Sequence, residues 1–340
     1  MATEADASKL AATDYYFNSY SHYSIHMEML KDRHRTESYR DAIVRNAYMF
    51  KGKTVLDVGC GTGILSMFCA KAGAKKVIGI DCSSIAVQAR EIVKENGFAD
   101  VITIVQGKVE ELKELPDGVK SVDIIVSEWM GYFLLYESML QTVLFARDKF
   151  GNKETGVKLL PSHANMAVVG ITDHQYHKDR FEIWNDVQGF DFTHFKRLQY
   201  VEPLVDQVSP NQCFTNTAPL YSFDLNTVTE KDLDGWTSTF KLTAKRNDTL
   251  HALSVHFDTP FFAGHDEVVL DTSPWSTPTH WRQTVLYLVN PLSMLVGESA
   301  TFTMKSGPNK DNPRDLDITL RVDFDGAVQI SHFDQDFRLR

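Results

Sequence analysis

Cysteine is scarce in this 340-residue chain. The four present (Cys60, Cys69, Cys82, Cys213) sit in apolar or Gly-rich contexts, with no CxxC pair and no His at zinc-finger spacing. Neither a disulfide framework nor a structural metal is indicated, and reduced, mostly buried thiols are expected. Long apolar runs are missing as well, since none approaches the roughly 20 residues of a membrane span. Met1-Ala2-Thr3-Glu4 offers neither a basic leader nor an acceptor glycine for myristate. A soluble intracellular protein is the expectation. Positive charge is in deficit, with 35 basic residues against 45 acidic ones and a formal net charge of −10. That balance argues against a nucleic-acid surface and for cationic partners reached by electrostatic steering. No internal repeat or low-complexity segment is found.

What is present reads as two domains, because the length exceeds the roughly 150 residues of one. Residues 1–13, rich in Ala, Thr and Ser, read as a disordered tail, and residues 14–50 as helices crowded with aromatics. Over residues 51–161, β-type runs ("TVLDVG", "KVIGID", "VITIVQG", "SVDIIVS") alternate with helical periodicity, which predicts a parallel sheet with crossover helices. Pro161 marks the boundary. Residues 162–340 turn to alternating strands punctuated by Gly, Pro, Asn and Asp, which predicts antiparallel β structure. Within them, residues 173–188 look helical and lead into the aromatic stretch "GFDFTHF" without strand alternation. An aromatic arm of this kind, about residues 172–198, suits either a protein interface or burial on its own domain.

The strand "TVLDVG" runs into "GCGTG" (Gly59, Gly61, Gly63), and the next strand ends in Asp81. Small residues at the C-terminal end of a parallel strand let a ligand approach the backbone, and an acid on the following strand can accept ribose hydroxyls. An adenosine-containing cofactor is therefore expected. A dinucleotide fingerprint would need Gly where Ile64 stands, and Asp57 ahead of the glycines would repel a pyrophosphate. These residues resemble the first motif of the S-adenosylmethionine-dependent methyltransferases.

The stretch "SEWMGYFLLYES" places Glu128 and Glu137 nine positions apart in an apolar, aromatic loop. Two carboxylates there repel one another and lose hydration unless a cation joins them. A guanidinium is the best match, being planar, permanently charged and rich in paired N–H donors. The loop resembles the double-glutamate loop of the protein arginine methyltransferases. "YFNSYSHYSIHMEMLKDRHRT" resembles that family's N-terminal cofactor-covering helix, and "THW" (Thr279, His280, Trp281) its C-terminal active-site loop. With "TGVKLLP", "EPLVD", "KRND" and "NPRDLDI", the resemblance runs from Asp14 to Arg340 and is nearest to the type I enzymes.

The resemblance implies a Rossmann-like methyltransferase domain preceded by helices, then a β-barrel-like domain whose arm forms a homodimer, possible higher oligomers included. It implies that Glu128 and Glu137 clamp the substrate guanidinium, that Arg35 touches the cofactor carboxylate and places Glu128, and that His280 pairs with Asp32. Tyr16, Phe17, Tyr20 and His26 would close over the cofactor. Asp57, Gly59, Gly61, Thr62 and Gly63 would cradle it, with Asp81 and Cys82 at the ribose and Val109 and Glu110 at the adenine. Tyr20, Met130, Tyr132 and Trp281 would line the substrate side. Met29 and Met139 would shape the pocket toward asymmetric dimethylarginine, the type I product. Arginine- and glycine-rich proteins such as histones and RNA-binding proteins would be the substrates, in cytoplasm and nucleus, with no direct nucleic-acid or membrane contact. No metal is implied.

Three positions depart from the family pattern: Asp81 replaces a longer Glu, and Ser24 and Met27 replace small and acidic residues in the covering helix. A silent cofactor-binding scaffold that docks partners through its β domain is the alternative, disfavoured by intact Glu128, Glu137, Arg35 and His280. An NAD oxidoreductase is disfavoured by Ile64 and Asp57.

Overall fold

Residues 22–340, apart from 138 and 263, are described by a computed structural model. Two helices, α1 (Tyr23–Lys31) and α2 (Arg33–Val44), open the described chain and are separated at Asp32, whose extended backbone breaks the helical run. Asp32 also starts the second helix, because its carboxylate accepts the Arg35 N–H at 3.0 Å and satisfies a donor the first turn would leave unpaired. A short helix, α3 (Ala47–Phe50), leads into the sheet.

The first domain is a five-stranded parallel sheet in the order β3-β2-β1-β4-β5, with β1 Thr54–Val58, β2 Lys76–Asp81, β3 Ile102–Gln106, β4 Ile124–Ser127 and β5 Lys158–Leu160. Its strands are nearly continuous apolar runs because helices cover both faces. Helices α4 (Ile64–Lys71), α5 (Ile85–Glu95) and α6 (Met139–Phe150) supply them. In α5 the buried Ile85, Ala86, Ala89 and Val93 recur at helical spacing, and small Ala residues let the helix lie close to the sheet. The chain leaves β1 toward β2 on one side while β4 lies on the other, so a crevice opens at the strands' C-terminal ends.

The second domain is antiparallel. Strands β6 (His163–Ile171), β7 (Leu204–Asp206), β8 (Cys213–Asp224), β10 (Asp248–Pro260) and β12 (Gln283–Met294) form a sheet in the order β7-β12-β10-β6-β8, with β11 (Val269–Asp271) paired to β10. Strands β9 (Trp236–Thr243), β13 (Ser299–Pro308), β14 (Leu316–Asp325) and β15 (Ile330–Leu339) form the other, and a bridge between Thr215 and Ala244 links the two sheets. The expected barrel-like arrangement is therefore present. One apolar core runs through both domains. Across their junction, Arg147 Nη1 donates to the carbonyls of Leu225 and Val228 at 2.6 and 2.8 Å, and Tyr39 packs edge-on against Phe261.

Between β6 and β7 the arm projects as α7 (His174–Phe181), a tight turn over residues 182–185 and α8 (Thr193–Gln199). The second helix starts inside the stretch that sequence pattern left irregular. The Asp191 carboxylate accepts the Thr193 N–H at 2.7 Å, and Trp184 meets Phe195 edge-on at 4.6 Å, so local capping and one aromatic contact override the lack of periodicity. Phe181 is buried and stacks on Tyr200 at 3.9 Å, anchoring the arm, while Ile183, Phe190, Phe192, Phe195 and Leu198 stay exposed. Burial on its own domain, one alternative of the sequence reading, is realised at the Phe181 end of the arm.

Candidate active site

The crevice at the strand ends deepens into a cavity of about 260 Å³ bounded by α1, the glycine turn after β1, the 128–137 loop and the turn carrying His280 and Trp281. Nearly all of the sequence-predicted residues that the structure describes line it, among them His26, Met29, Arg35, Cys82, Val109 and Glu110. Asp57, Gly63 and Asp32 are not among the lining residues and lie behind them. Tyr16, Phe17 and Tyr20 lie outside the described residues.

The glycine turn has the shape a bound ligand demands. Gly59, Gly61 and Gly63 all adopt left-handed backbone, and a Cβ on Gly59 would stand 2.2 Å from Met139 Cε. His26 lies over Gly61, its ring 3.5 Å from where a Cβ would be. Asp81 ties this turn down, with Oδ2 accepting the Gly61 N–H at 2.9 Å and Oδ1 accepting the Ser83 N–H and hydroxyl at 2.8 and 2.7 Å. The shorter acid that departs from the family pattern is therefore already engaged with backbone, and spare lone pairs remain for hydroxyl donors. Glu110, on the opposite wall, accepts from Thr142 Oγ1 at 2.5 Å.

Asp57 is fully buried. One oxygen accepts from Ser66 at 2.6 Å, and the other, Oδ1, has no hydrogen-bond partner among the described residues. Burial pushes its carboxyl up to about 7, with the nearby Asp81 charge adding to the effect and Ser66 and Arg35 opposing it. A buried, orphaned acceptor beside a glycine turn fits a ligand that carries a cation. Burial and the Asp81 charge push the Cys82 thiol up to about 12, away from the thiolate form.

At the other end, Arg35 Nε and Nη2 both donate to Glu128 Oε2, at 3.0 and 2.9 Å, with 7% and 9% of the two side chains exposed. Asp32 Oδ2 receives both the backbone N–H and Nδ1 of His280 at 2.8 Å, joining α1 and α2 to the β domain. Burial pushes the Asp32 carboxyl up, but the His280 and Arg35 hydrogen bonds outweigh it and hold it below the usual carboxylate range. A carboxylate on Nδ1 fixes the imidazole proton there and leaves Nε2 as the basic nitrogen. Trp281 Nε1 donates to the Met130 carbonyl at 2.9 Å, pinning the glutamate loop to the β domain. Tyr132, on the same loop, has its phenol pushed up by burial and by the negative charges of Glu28 and Glu137.

Comparison with known proteins decides the family. Residues 162–327 match the arginine methyltransferase oligomerization subdomain, and residues 42–138 match the ribosomal protein L11 methyltransferase family. The chain is 50% identical over 330 residues to protein arginine N-methyltransferase 1 of Oryza sativa, covering 97% of this chain and 84% of the relative. It is 50% identical over 317 residues to the enzyme of that name from Schizosaccharomyces pombe, covering 93% and 92%.

The chain belongs to the protein arginine N-methyltransferases.

A solved structure agrees with that membership: the Trypanosoma brucei PRMT1 enzyme–prozyme heterotetrameric complex with AdoHcy matches at 69% identity and TM-score 0.91, over 95% of this chain and all of that one. Arabidopsis thaliana protein arginine methyltransferase 10 matches at 29% identity and TM-score 0.84. In this methyltransferase the bare scaffold reading finds no support, since the acidic pair and its partners are assembled around one cavity.

Several residues that shape the site were not singled out from sequence. Tyr39 donates to the Ser127 carbonyl at 2.8 Å and touches the Met130 sulfur, setting the start of the glutamate loop. Ser66, Ser83 and Thr142 orient Asp57, Asp81 and Glu110. A serine nine residues past Asp57, in the first turn of α4, is the only sequence signal for any of these, and it is weak.

Proposed function

We propose that this enzyme is a type I protein arginine methyltransferase, forming mono- and then asymmetric dimethylarginine in arginine- and glycine-rich proteins. The observation that carries the reading is one cavity lined by a glycine turn and two glutamates, with a buried unpartnered carboxylate, Asp57, behind its wall. S-adenosylmethionine, when bound, supplies an electrophilic methyl group on a sulfonium. Asp57, the glycine turn, Asp81 and Glu110 would hold its cationic amino acid part, backbone-facing part, ribose and adenine.

The chain's own residues then do the rest. Arg35 loads only one oxygen of Glu128, so Oε1 is available to a substrate guanidinium, and Glu137 lines the same cavity. Two carboxylates localise positive charge on the nitrogens they bind, which leaves the attacking nitrogen more nucleophilic. Positioning supplies much of the remaining rate, because nitrogen, methyl carbon and sulfur must lie in line. Once the methyl has transferred, the proton leaves from a stronger acid, so Glu137 or His280 Nε2 suffices as acceptor. Met29 and Met139 narrow the space around the guanidinium and support the asymmetric product.

The exposed apolar arm and the match to an oligomerization subdomain support a homodimer or larger assembly. Cytoplasm and nucleus, where such basic proteins are found, go with the same substrates.

The test is to incubate the protein with methyl-labelled S-adenosylmethionine and an arginine/glycine-rich peptide, hydrolyse the product and separate the methylarginines. Labelled asymmetric dimethylarginine is the expected product. Monomethylarginine alone, or the symmetric isomer, would overturn the type I assignment.

A further inference from the structure

Glu137 stands on backbone that a glutamate does not choose. Its φ is +79°, and Phe133 and Leu134 in the same loop are also left-handed, at +52° and +63°. Helix α6 begins two residues later at Met139, so the relaxed alternative is for Glu137 to join that helix with negative φ. That rotation would swing its side chain away from its present place in the cavity lining. Something must hold the residue where it is.

Arg314 takes both of its backbone polar groups. The Glu137 N–H donates to the Arg314 carbonyl at 2.9 Å, and Arg314 Nη1 donates back to the Glu137 carbonyl. The two residues are 177 positions apart and belong to different domains, yet both line the cavity. Arg314 sits on the turn between β13 and β14, in the "NPRDLDI" stretch to which no role attaches from sequence. That turn is itself closed. Asn309 Oδ1 accepts the N–H groups of Asp311 and Asn312 at 2.9 and 3.0 Å, and Asn309 N–H donates to the Asp315 carbonyl at 2.9 Å. A preset turn presents the guanidinium with little entropy left to lose.

We propose that Arg314 is a positioning residue for Glu137: the β domain fixes the second glutamate of the substrate clamp through a reciprocal backbone pair. The inference rests on the reading of Glu137 as a ligand of the substrate guanidinium. Completion of the clamp then depends on docking of the two domains.

The test compares wild type, Arg314→Ala, Arg314→Lys, Glu137→Gln and the double variant Arg314→Ala/Glu137→Gln. Three quantities are measured: kcat/KM on an arginine/glycine-rich peptide, binding of that peptide to the AdoHcy-loaded enzyme, and affinity for AdoHcy alone. Loss of one charge-assisted hydrogen bond predicts that Arg314→Ala lowers kcat/KM by about 10- to 100-fold. AdoHcy affinity stays within about twofold, and Arg314→Lys, which keeps a cationic donor, recovers most of the rate. On the Glu137→Gln background the same change moves rate and peptide binding by less than about twofold, because its effect passes through Glu137. Full additivity in the double variant, a parallel loss of AdoHcy binding, or an unimpaired Arg314→Ala overturns the proposal. An unimpaired Arg314→Ala in a wild type that methylates arginine does so without touching the reading of the enzyme itself.

Discussion

Arg35 binds Glu128 from one side only, placing Nε and Nη2 both on Oε2 and neither on Oε1. The pair is buried, so the arginine neutralises the glutamate enough to keep it in an apolar loop while leaving an acceptor for a second guanidinium. Glu128→Gln keeps the shape and an oxygen for Arg35 but removes the charge that polarises the substrate. Turnover is expected to fall about 100- to 1000-fold, with AdoHcy affinity nearly unchanged by calorimetry. Glu128→Ala strands the Arg35 cation and is expected to cost about 3–5 kcal/mol of stability as well, read from chemical denaturation.

Asp57 is expected to make cofactor binding depend on pH. Its folded-state carboxyl titrates near 7, above the ordinary 3.8, so the folded protein holds a proton that the unfolded chain has released. The sign follows: this residue's contribution to stability falls as pH rises from about 4 to about 7, and levels off above that. A bound ammonium group favours the carboxylate and expels the proton. AdoHcy affinity is therefore expected to rise about tenfold between pH 6 and 8 with release of about one proton, visible as a buffer-dependent heat of binding. Asp57→Asn should flatten that profile; a slope that survives the substitution would assign it elsewhere.

Gly59 meets two demands at once, a φ of +72° and contact with Met139. Gly59→Ala brings backbone strain of about 1 kcal/mol and drives the Met139 methyl into the cavity, so AdoHcy affinity should drop together with the melting temperature. Adding Met139→Ala should restore part of the affinity and none of the backbone strain. Thermal shift with and without AdoHcy separates the two effects.

Met29 faces the cavity from α1, and its carbonyl is held by Arg35 Nη1 and Thr36 Oγ1 at 3.4 and 3.3 Å. With the backbone fixed, Met29→Phe must place its extra volume inside the cavity. The ratio of monomethyl to dimethyl product is expected to rise. An unchanged ratio would remove Met29 from the determinants of product type.

Much of the architecture was legible because it rests on local pattern. The "TVLDVG" run is buried on both faces while α5 and β14 each bury one, and burial writes itself into the sequence at the spacing of the element. The second arm helix escaped that logic, because Asp191 capping and the contact between Trp184 and Phe195 made it, without an apolar stripe.

The sequence by itself determined the chemistry: two glutamates in an apolar loop want a cation, and glycines before Asp81 admit an adenosine, whatever surrounds them. Tertiary structure decided how those groups are held. Arg35 on one oxygen of Glu128, His280 on Asp32, Trp281 on Met130 and Arg314 on the backbone of Glu137 are pairings across 93 to 248 residues. No periodicity encodes such contacts: three of them cross the junction of the two domains, the pair of Arg35 and Glu128 joins α2 to the glutamate loop within the first, and each depends on which buried polar group is left needing a partner.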